Sequence, residues 1–224
     1  MMIKLDNITK IFKSKKSSVV ALNEVSLNIR AGSFVLIKGP SGCGKSTLLF
    51  TLGGMLSPSL GNLFFDGEDV YQWPEKKRLL YRSRKIGFVY QSHHLIPYLN
   101  VLDNILLPNK SGKQVADKKK IEELAAQMNL QDRLTHMPAQ LSEGEKQRAA
   151  LLRALIVHPC LLLADEPTGN LDPENSEIIM KQFDEYRKQG GTIFMASHGS
   201  EADELADVIV SMKKGKIIEV KGNH

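Results

Sequence analysis

Phe34-Val35-Leu36-Ile37-Lys38-Gly39-Pro40-Ser41-Gly42-Cys43-Gly44-Lys45-Ser46-Thr47-Leu48-Leu49-Phe50 is the stretch that decides the fold. Its centre, Gly39 to Thr47, fits the pattern G-x-x-x-x-G-K-[ST]. The apolar run Phe34 to Ile37 reads as a short buried strand, and Leu48-Leu49-Phe50 begins a helix. Glycines in such a loop let backbone N–H groups approach phosphate oxygens closely. Lys45 brings a positive charge for the β and γ phosphates, and the Ser46 hydroxyl suits Mg²⁺. The helix that follows turns its free N–H groups and positive dipole end toward the same phosphates. Gly39, Pro40, Ser41, Gly42, Cys43, Gly44, Lys45, Ser46 and Thr47 are therefore predicted to hold a nucleoside triphosphate.

The surrounding chain has 224 residues, 42% of them apolar and 25% charged, enough to bury a full core within one domain. Apolar runs such as Cys160 to Ala164 are far shorter than the ~20 residues that cross a bilayer. The first residues lack the apolar stretch and cleavage site of a secretory signal, which makes a cytoplasmic location the expectation. Cys43 and Cys160 are then expected to be free thiols. Cys43, inside the loop, is further expected to be a thiol whose alkylation the bound nucleotide would block. The net charge of +5 gathers modestly at Lys13 to Lys16, Lys76 to Arg78 and Lys118 to Lys120. These clusters are short and accompany no nucleic-acid module, so they read as solvated surface and no nucleic-acid partner is expected.

Outward from the loop, the first thirty-odd residues alternate apolar and polar positions around polar Lys13 to Ser18, predicting antiparallel strands joined by a loop. Leu63 to Gly67 reads as a strand and turn, and Ile86 to Tyr90 as a strand ending at Gln91. From about 97 to 159 helical spacing dominates, as at Ile121, Leu124, Ala125 and Met128, which predicts a helical subdomain. Strand-like Leu161 to Ala164 and Thr192 to Ala196 then alternate with helical patterns around Ile179 and Phe183 and around Ala202 to Ala206. That alternation predicts a mainly parallel sheet covered by helices.

Asp165 and Glu166 end an apolar strand, where a parallel sheet presents them at its ligand-binding edge. Asp165 is suited to hold Mg²⁺ with Ser46, and Glu166 to act on water as general base. His198 and Gln91 likewise follow strands, the first within reach of a γ-phosphate, the second of the metal or water.

Leu141-Ser142-Glu143-Gly144-Glu145-Lys146-Gln147-Arg148, before a helix through Ala149, Leu152 and Leu155, resembles the L-S-G-G-Q signature of ABC ATPases. It stands between Gln91 and Asp165 as that family requires. Thr168-Gly169-Asn170-Leu171-Asp172 is similar to the family's D-loop, and His198 to its switch histidine. The resemblance covers nearly the whole chain, 1–224. It implies a single P-loop NTPase domain of the ABC ATPase fold: a RecA-like, mainly parallel core, an N-terminal antiparallel β-subdomain and a helical subdomain at about 97–159. It also implies head-to-tail pairing of two copies, with Ser142 and Gly144 of one meeting the γ-phosphate held by the other. Phe12 occupies the position of the aromatic residue on which adenine stacks. Catalytic roles fall to Glu166, His198, Lys45 and Gln91, and metal contacts to Ser46, Gln91 and Asp165, with ATP and Mg²⁺ as the bound groups.

The sequence departs from the signature at Glu145 and, more sharply, at Glu143, which puts a carboxylate and a Cβ where glycine is usual. The expectation is that Glu143 weakens ATP-driven pairing. Val20-Ala21-Leu22, Ile86 to Gln91, Leu95-Ile96-Pro97 with Asn104 and Pro108, and Ala164 to Asp172 resemble the lipoprotein-releasing and macrolide-exporter branch. That branch implies an ATPase on the cytoplasmic face of the inner membrane, bound to integral permease subunits through the loop after Gln91. Leu95, Ile96, Tyr98 and Leu99 are the expected contacts. Export or extraction of lipoprotein, peptide or drug, or force transmission to the envelope, is the function implied. The alternative is a soluble ABC-type ATPase acting on nucleic acid or ribosomes, which usually carries two fused ATPase domains or a long coiled coil.

Overall fold

A computed structural model describes residues 2–14, 17–110 and 118–222. Lys15 and Lys16 of the first basic cluster, and 111–117 of the expected helical middle, lie outside them. Two sheets dominate. The first is antiparallel, in the order β2-β1-β4-β5 (β1 Met2–Lys13, β2 Ser18–Arg30, β4 Leu60–Phe65, β5 Glu68–Asp69). The second runs β10-β9-β3-β8-β7-β6 (β3 Phe34–Lys38, β6 Ile86–Val89, β7 Leu161–Asp165, β8 Thr192–Ser197, β9 Val208–Lys213, β10 Lys216–Gly222). It is parallel except for β10.

The period-two pleat divides the central strands between two cores. Phe34, Leu36, Leu162, Ala164, Ile193 and Met195 face a cluster shared with α3 (Val101–Lys110), α4 (Lys118–Gln127), α5 (Glu143–Leu155) and α6 (Pro173–Lys188). Val35, Ile37, Leu161, Leu163, Phe194 and Ala196 face the opposite cluster, with α1 (Lys45–Leu52) and the antiparallel sheet. All twelve are fully buried, each larger one contributing about 1.5–3 kcal/mol of apolar transfer. Such strands read as unbroken apolar runs because both faces are covered.

Ile121, Leu124, Ala125 and Met128 are buried as their spacing predicts. Two local expectations shift, and one helix was not read from the sequence. The helix after the phosphate loop begins at Lys45, three residues before Leu48. Helix α2 (Glu75–Lys85), which carries the basic cluster Lys76 to Arg78, had no apolar stripe to announce it: only Tyr81 of its residues is buried. Ala202 to Ala206 forms turns instead of a helix, closed by Leu205 N–H and Ala206 N–H donating to the Ala202 carbonyl at 3.2 and 3.1 Å. Asp207 then ties the chain to β3, its carboxylate accepting from Phe34 N–H at 2.7 Å, and β9 starts at once. Among the described residues no helix is long and apolar enough to cross a membrane.

Candidate active site

Strands β3, β7 and β8 end at one edge of the parallel sheet, and the chemistry gathers there. The loop after β3 bends through Gly39, Gly42 and Gly44 at φ of +156°, +74° and +111°. A Cβ on Gly39 would lie 2.7 Å from Cys43 Sγ, and one on Gly44 would strike the Ala21 carbonyl of β2. The loop is also bound from outside, Gly215 N–H donating to the Cys43 carbonyl at 2.9 Å. Its cradle is thus fixed by β2 and by the β9–β10 turn, a restraint that the motif alone does not disclose. Gly44 caps α1 without a side-chain bond, and no acid stands in the first turn, so the positive end of that helix faces the loop unneutralised.

Lys45 is buried with its ammonium turned back into the loop. It donates to the Gly39 carbonyl at 2.9 Å, contacts His198 Nε2 at 3.0 Å and lies 3.6 Å from Glu166 Oε1. His198 Nε2 is 2.7 Å from the same carboxylate oxygen and 3.4 Å from Ser41 Oγ. Gln91 Nε2 donates to Glu166 Oε2 at 3.4 Å. Glu166 sits at φ +48°, a left-handed conformation uncommon for glutamate, fixed by its N–H to the Ala196 carbonyl at 2.9 Å. Three of the residues singled out from sequence, Lys45, His198 and Gln91, therefore meet on the carboxylate of a fourth, Glu166. Asp165 accepts from the Ser46 hydroxyl, and burial pushes its carboxyl above the ordinary aspartate range. Hydroxyl, carboxylate and amide oxygens are hard donors of the kind Mg²⁺ takes, and among the described residues no cluster of His, Cys, Asp and Glu makes an all-protein metal cage.

Cys43 departs from expectation. Its thiol is 3% exposed within the apolar cluster under the loop, so alkylation would require the loop to open. Both cysteines are free thiols. Phe12 is half-exposed, pairs with Val19 across the β1–β2 hairpin and has the Lys10 ammonium 5.4 Å from its ring centroid. Ala21, two residues beyond Val19, is the residue that abuts Gly44, so one hairpin carries both the aromatic ring and the wall of the loop.

Ser142 and Gly144 open α5, away from this cluster. Ser142 Oγ accepts from Glu145 N–H at 3.2 Å while Glu145 Oε2 accepts from Ser142 N–H at 2.8 Å, a capping box. Arg133 holds the other Glu145 oxygen at 2.7 Å, which explains a glutamate at that signature position. A Cβ on Gly144 would meet the Asn175 amide, 2.7 Å from Nδ2. Asn175 in turn accepts from Arg148 and donates to Asp172 through N and Nδ2 at 2.8 and 2.6 Å. The signature helix and the D-loop aspartate are thereby linked through one amide.

Two further residues have roles that the sequence reading did not assign. Asn104 is fully buried. Its amide accepts from Ile96 N–H at 2.7 Å and donates to the Ile96, Leu99 and Asn100 carbonyls at 3.1, 2.9 and 3.0 Å. It holds the loop whose Tyr98 is 76% exposed, while Leu95 packs on the core. Arg153 donates to the carbonyls of His93 and His94, each at 2.6 Å, pinning the loop after Gln91 to α5. Both histidines have positive φ, which leaves those carbonyls turned toward the guanidinium.

Comparison with known proteins agrees with this arrangement. The ABC transporter family matches residues 22–169. The chain is 41% identical to the lipoprotein-releasing system ATP-binding protein LolD of Aquifex aeolicus, over 96% of each protein. It is 40% identical to the macrolide export ATP-binding/permease protein MacB of Chlorobaculum tepidum, over 97% of this chain and 34% of that protein. Among solved structures, the dimeric bacterial ABC transporter cassette MJ0796 is similar with a TM-score of 0.92 at 35% identity, covering 98% of each chain. The same cassette in a dimeric post-hydrolysis state bound to ADP and Pi gives 0.91 at 33%, with the same coverage. On this family match and this near full-length likeness, the chain belongs to the ABC transporter ATP-binding family, whose members are ATPases of the α/β P-loop fold.

Proposed function

We propose that this chain is the ATP-hydrolysing subunit of a membrane ABC complex that exports or extracts lipoprotein, peptide or drug, or transmits force to the envelope. The observation that carries the reading is the convergence of Lys45, His198 and Gln91 on Glu166 beside the phosphate loop. Residues 1–224 act as one ATPase domain, with 97–159 as its helical subdomain.

In this reading Gly39 to Thr47 bind the phosphates of ATP and Phe12 stacks on adenine. Phosphate oxygens compete with Glu166 for the Lys45 ammonium, and as Lys45 turns to them the carboxylate is released to take a proton. Glu166 draws that proton from water as the water oxygen attacks the γ-phosphorus. The bond to the β–γ bridging oxygen breaks, and ADP leaves with the electron pair. His198 donates to a γ-phosphate oxygen, and Gln91 orients the water or the metal. Ser46, Asp165 and Gln91 would hold Mg²⁺, which neutralises developing phosphate charge. Two copies pair head to tail, so that Ser142 and Gly144 of one close the site of the other, and hydrolysis opens them.

The MJ0796 cassettes are dimers, and LolD and MacB are named for lipoprotein release and macrolide export. By that likeness the chain works on the cytoplasmic face of the inner membrane, docked on permease subunits through the loop held by Asn104, without a nucleic-acid partner. Purification of the tagged chain from detergent-solubilised membranes tests this. A stoichiometric integral membrane partner is expected. Co-sedimentation with ribosomes or DNA and no such partner would overturn it.

A further inference from the structure

Glu143 is the residue of the signature turn that the family pattern does not explain, and its surroundings do. It is the first residue of α5, and the carboxylate of its 61% exposed side chain is hydrogen-bonded on one side and closely approached on the other. Lys146, one turn on, donates to Oε1 at 2.6 Å, and His93 Nε2 of the loop after Gln91 lies 3.7 Å from Oε2. The hydrogen bond from Lys146, with a smaller contribution from His93, keeps the carboxyl below the usual glutamate range, so it is an anion at neutral pH. His93 is itself fixed in place, because Arg153 binds its carbonyl and that of His94. The groups that face its imidazole are Glu143, Lys146 and Arg153 from α5 and His94 from its own loop.

We propose that His93 and Lys146 are positioning residues for the signature turn, holding the Glu143 carboxylate against its own chain and off the surface where Ser142 and Gly144 meet the other copy's triphosphate. The proposal rests on the head-to-tail reading. An unheld carboxylate at that position would lie beside a polyanion in a closing, water-poor interface, where like charges repel most strongly. Bonded to Lys146 and bounded by the His93 ring, it presents its backbone to the interface and its charge to the Lys146 ammonium of its own chain. The same contact joins the loop of Gln91 to the signature turn, so a shift of that loop is transmitted to the turn through His93.

The test is a mutant cycle read by analytical ultracentrifugation with Mg²⁺ and ATP, every variant carrying Glu166→Gln to stop turnover. Asparagine tolerates the left-handed backbone of position 93 but is too short to reach Glu143. His93→Asn with Lys146→Gln is expected to weaken ATP-driven dimerisation about tenfold, the scale of coupling between contacting residues. The same pair of changes is expected to have no effect once Glu143→Gly is also present. Glu143→Gly alone is expected to move dimerisation by no more than about twofold, because the charge it removes is already compensated. A merely structural role would give the same loss in both backgrounds, and that result would overturn the proposal. Equal melting temperatures across the set guard against loss of fold. Absence of any ATP-driven dimer in Glu166→Gln itself would instead bring down the head-to-tail reading beneath it.

Discussion

The phosphate loop and the signature turn both lie at the N-terminus of a helix, yet they are built in opposite ways. Helix α1 starts on a glycine, with no side-chain cap and no acid in its first turn. Helix α5 starts on Ser142, closed by a reciprocal bond to Glu145, with two acids in its first turn. The first end leaves its N–H groups and its dipole for a ligand, and β2 and the β9–β10 turn brace it from behind. At the second end the chain has already satisfied the N–H groups of Ser142 and Glu145. Ser142 Oγ accepts from Glu145 N–H, which leaves the hydroxyl hydrogen available to point outward. One end is an anion cradle, and the other is a rigid cap that offers a single hydroxyl and a glycine surface to something outside the chain.

Perturbations at the two ends should therefore differ in kind. The largest effect is expected at the cradle's chemistry: Glu166→Gln removes a general base and should lower ATP turnover by about 10²–10⁴-fold while ATP still binds. Retention of wild-type turnover would break the assignment. Next, Lys45→Ala deletes a buried, charge-assisted donor worth about 1.5–3 kcal/mol and should weaken ATP binding accordingly, measured by isothermal titration. The smallest effect falls at the cap. Ser142→Ala should cost about 1 kcal/mol in chemical denaturation, the usual loss for an N-cap, and leave ATP binding to the isolated chain unchanged. A Ser142→Ala variant whose monomer loses ATP affinity would mean that the two ends are not separate.

The difference also explains what could be read from the chain alone. The phosphate loop, Asp165 and Glu166 each depend on neighbours in sequence and on the apolar strands that carry them, so their place at one sheet edge was legible, as was the signature segment's place before a helix. Glu143 was legible as a departure but not in its consequence. The expectation that it weakens pairing took its carboxylate as unheld, whereas Lys146 is one turn away and His93 is fifty residues upstream, on another loop. Cys43 was misjudged for a similar reason: the loop motif says nothing of the apolar cluster beneath it. Helix α2 lacks a buried stripe, and Ala202 to Ala206 has helical spacing but is followed at once by Asp207, which is tied to Phe34 of β3 and leads the chain into β9. Asn104 illustrates the general limit. A polar residue within an apolar helix acquires its role from four backbone partners in the preceding loop, and no periodicity encodes that.

The central claim is that one chain carries two unlike halves of a site and that ATP joins them across two copies. Sedimentation velocity of Glu166→Gln tests it most directly, run with nucleotide-free protein, with ADP, and with Mg²⁺ and ATP. A dimer that forms only with ATP and holds one nucleotide per chain is the predicted result. A chain saturated with ATP that remains monomeric at high protein concentration would contradict the account.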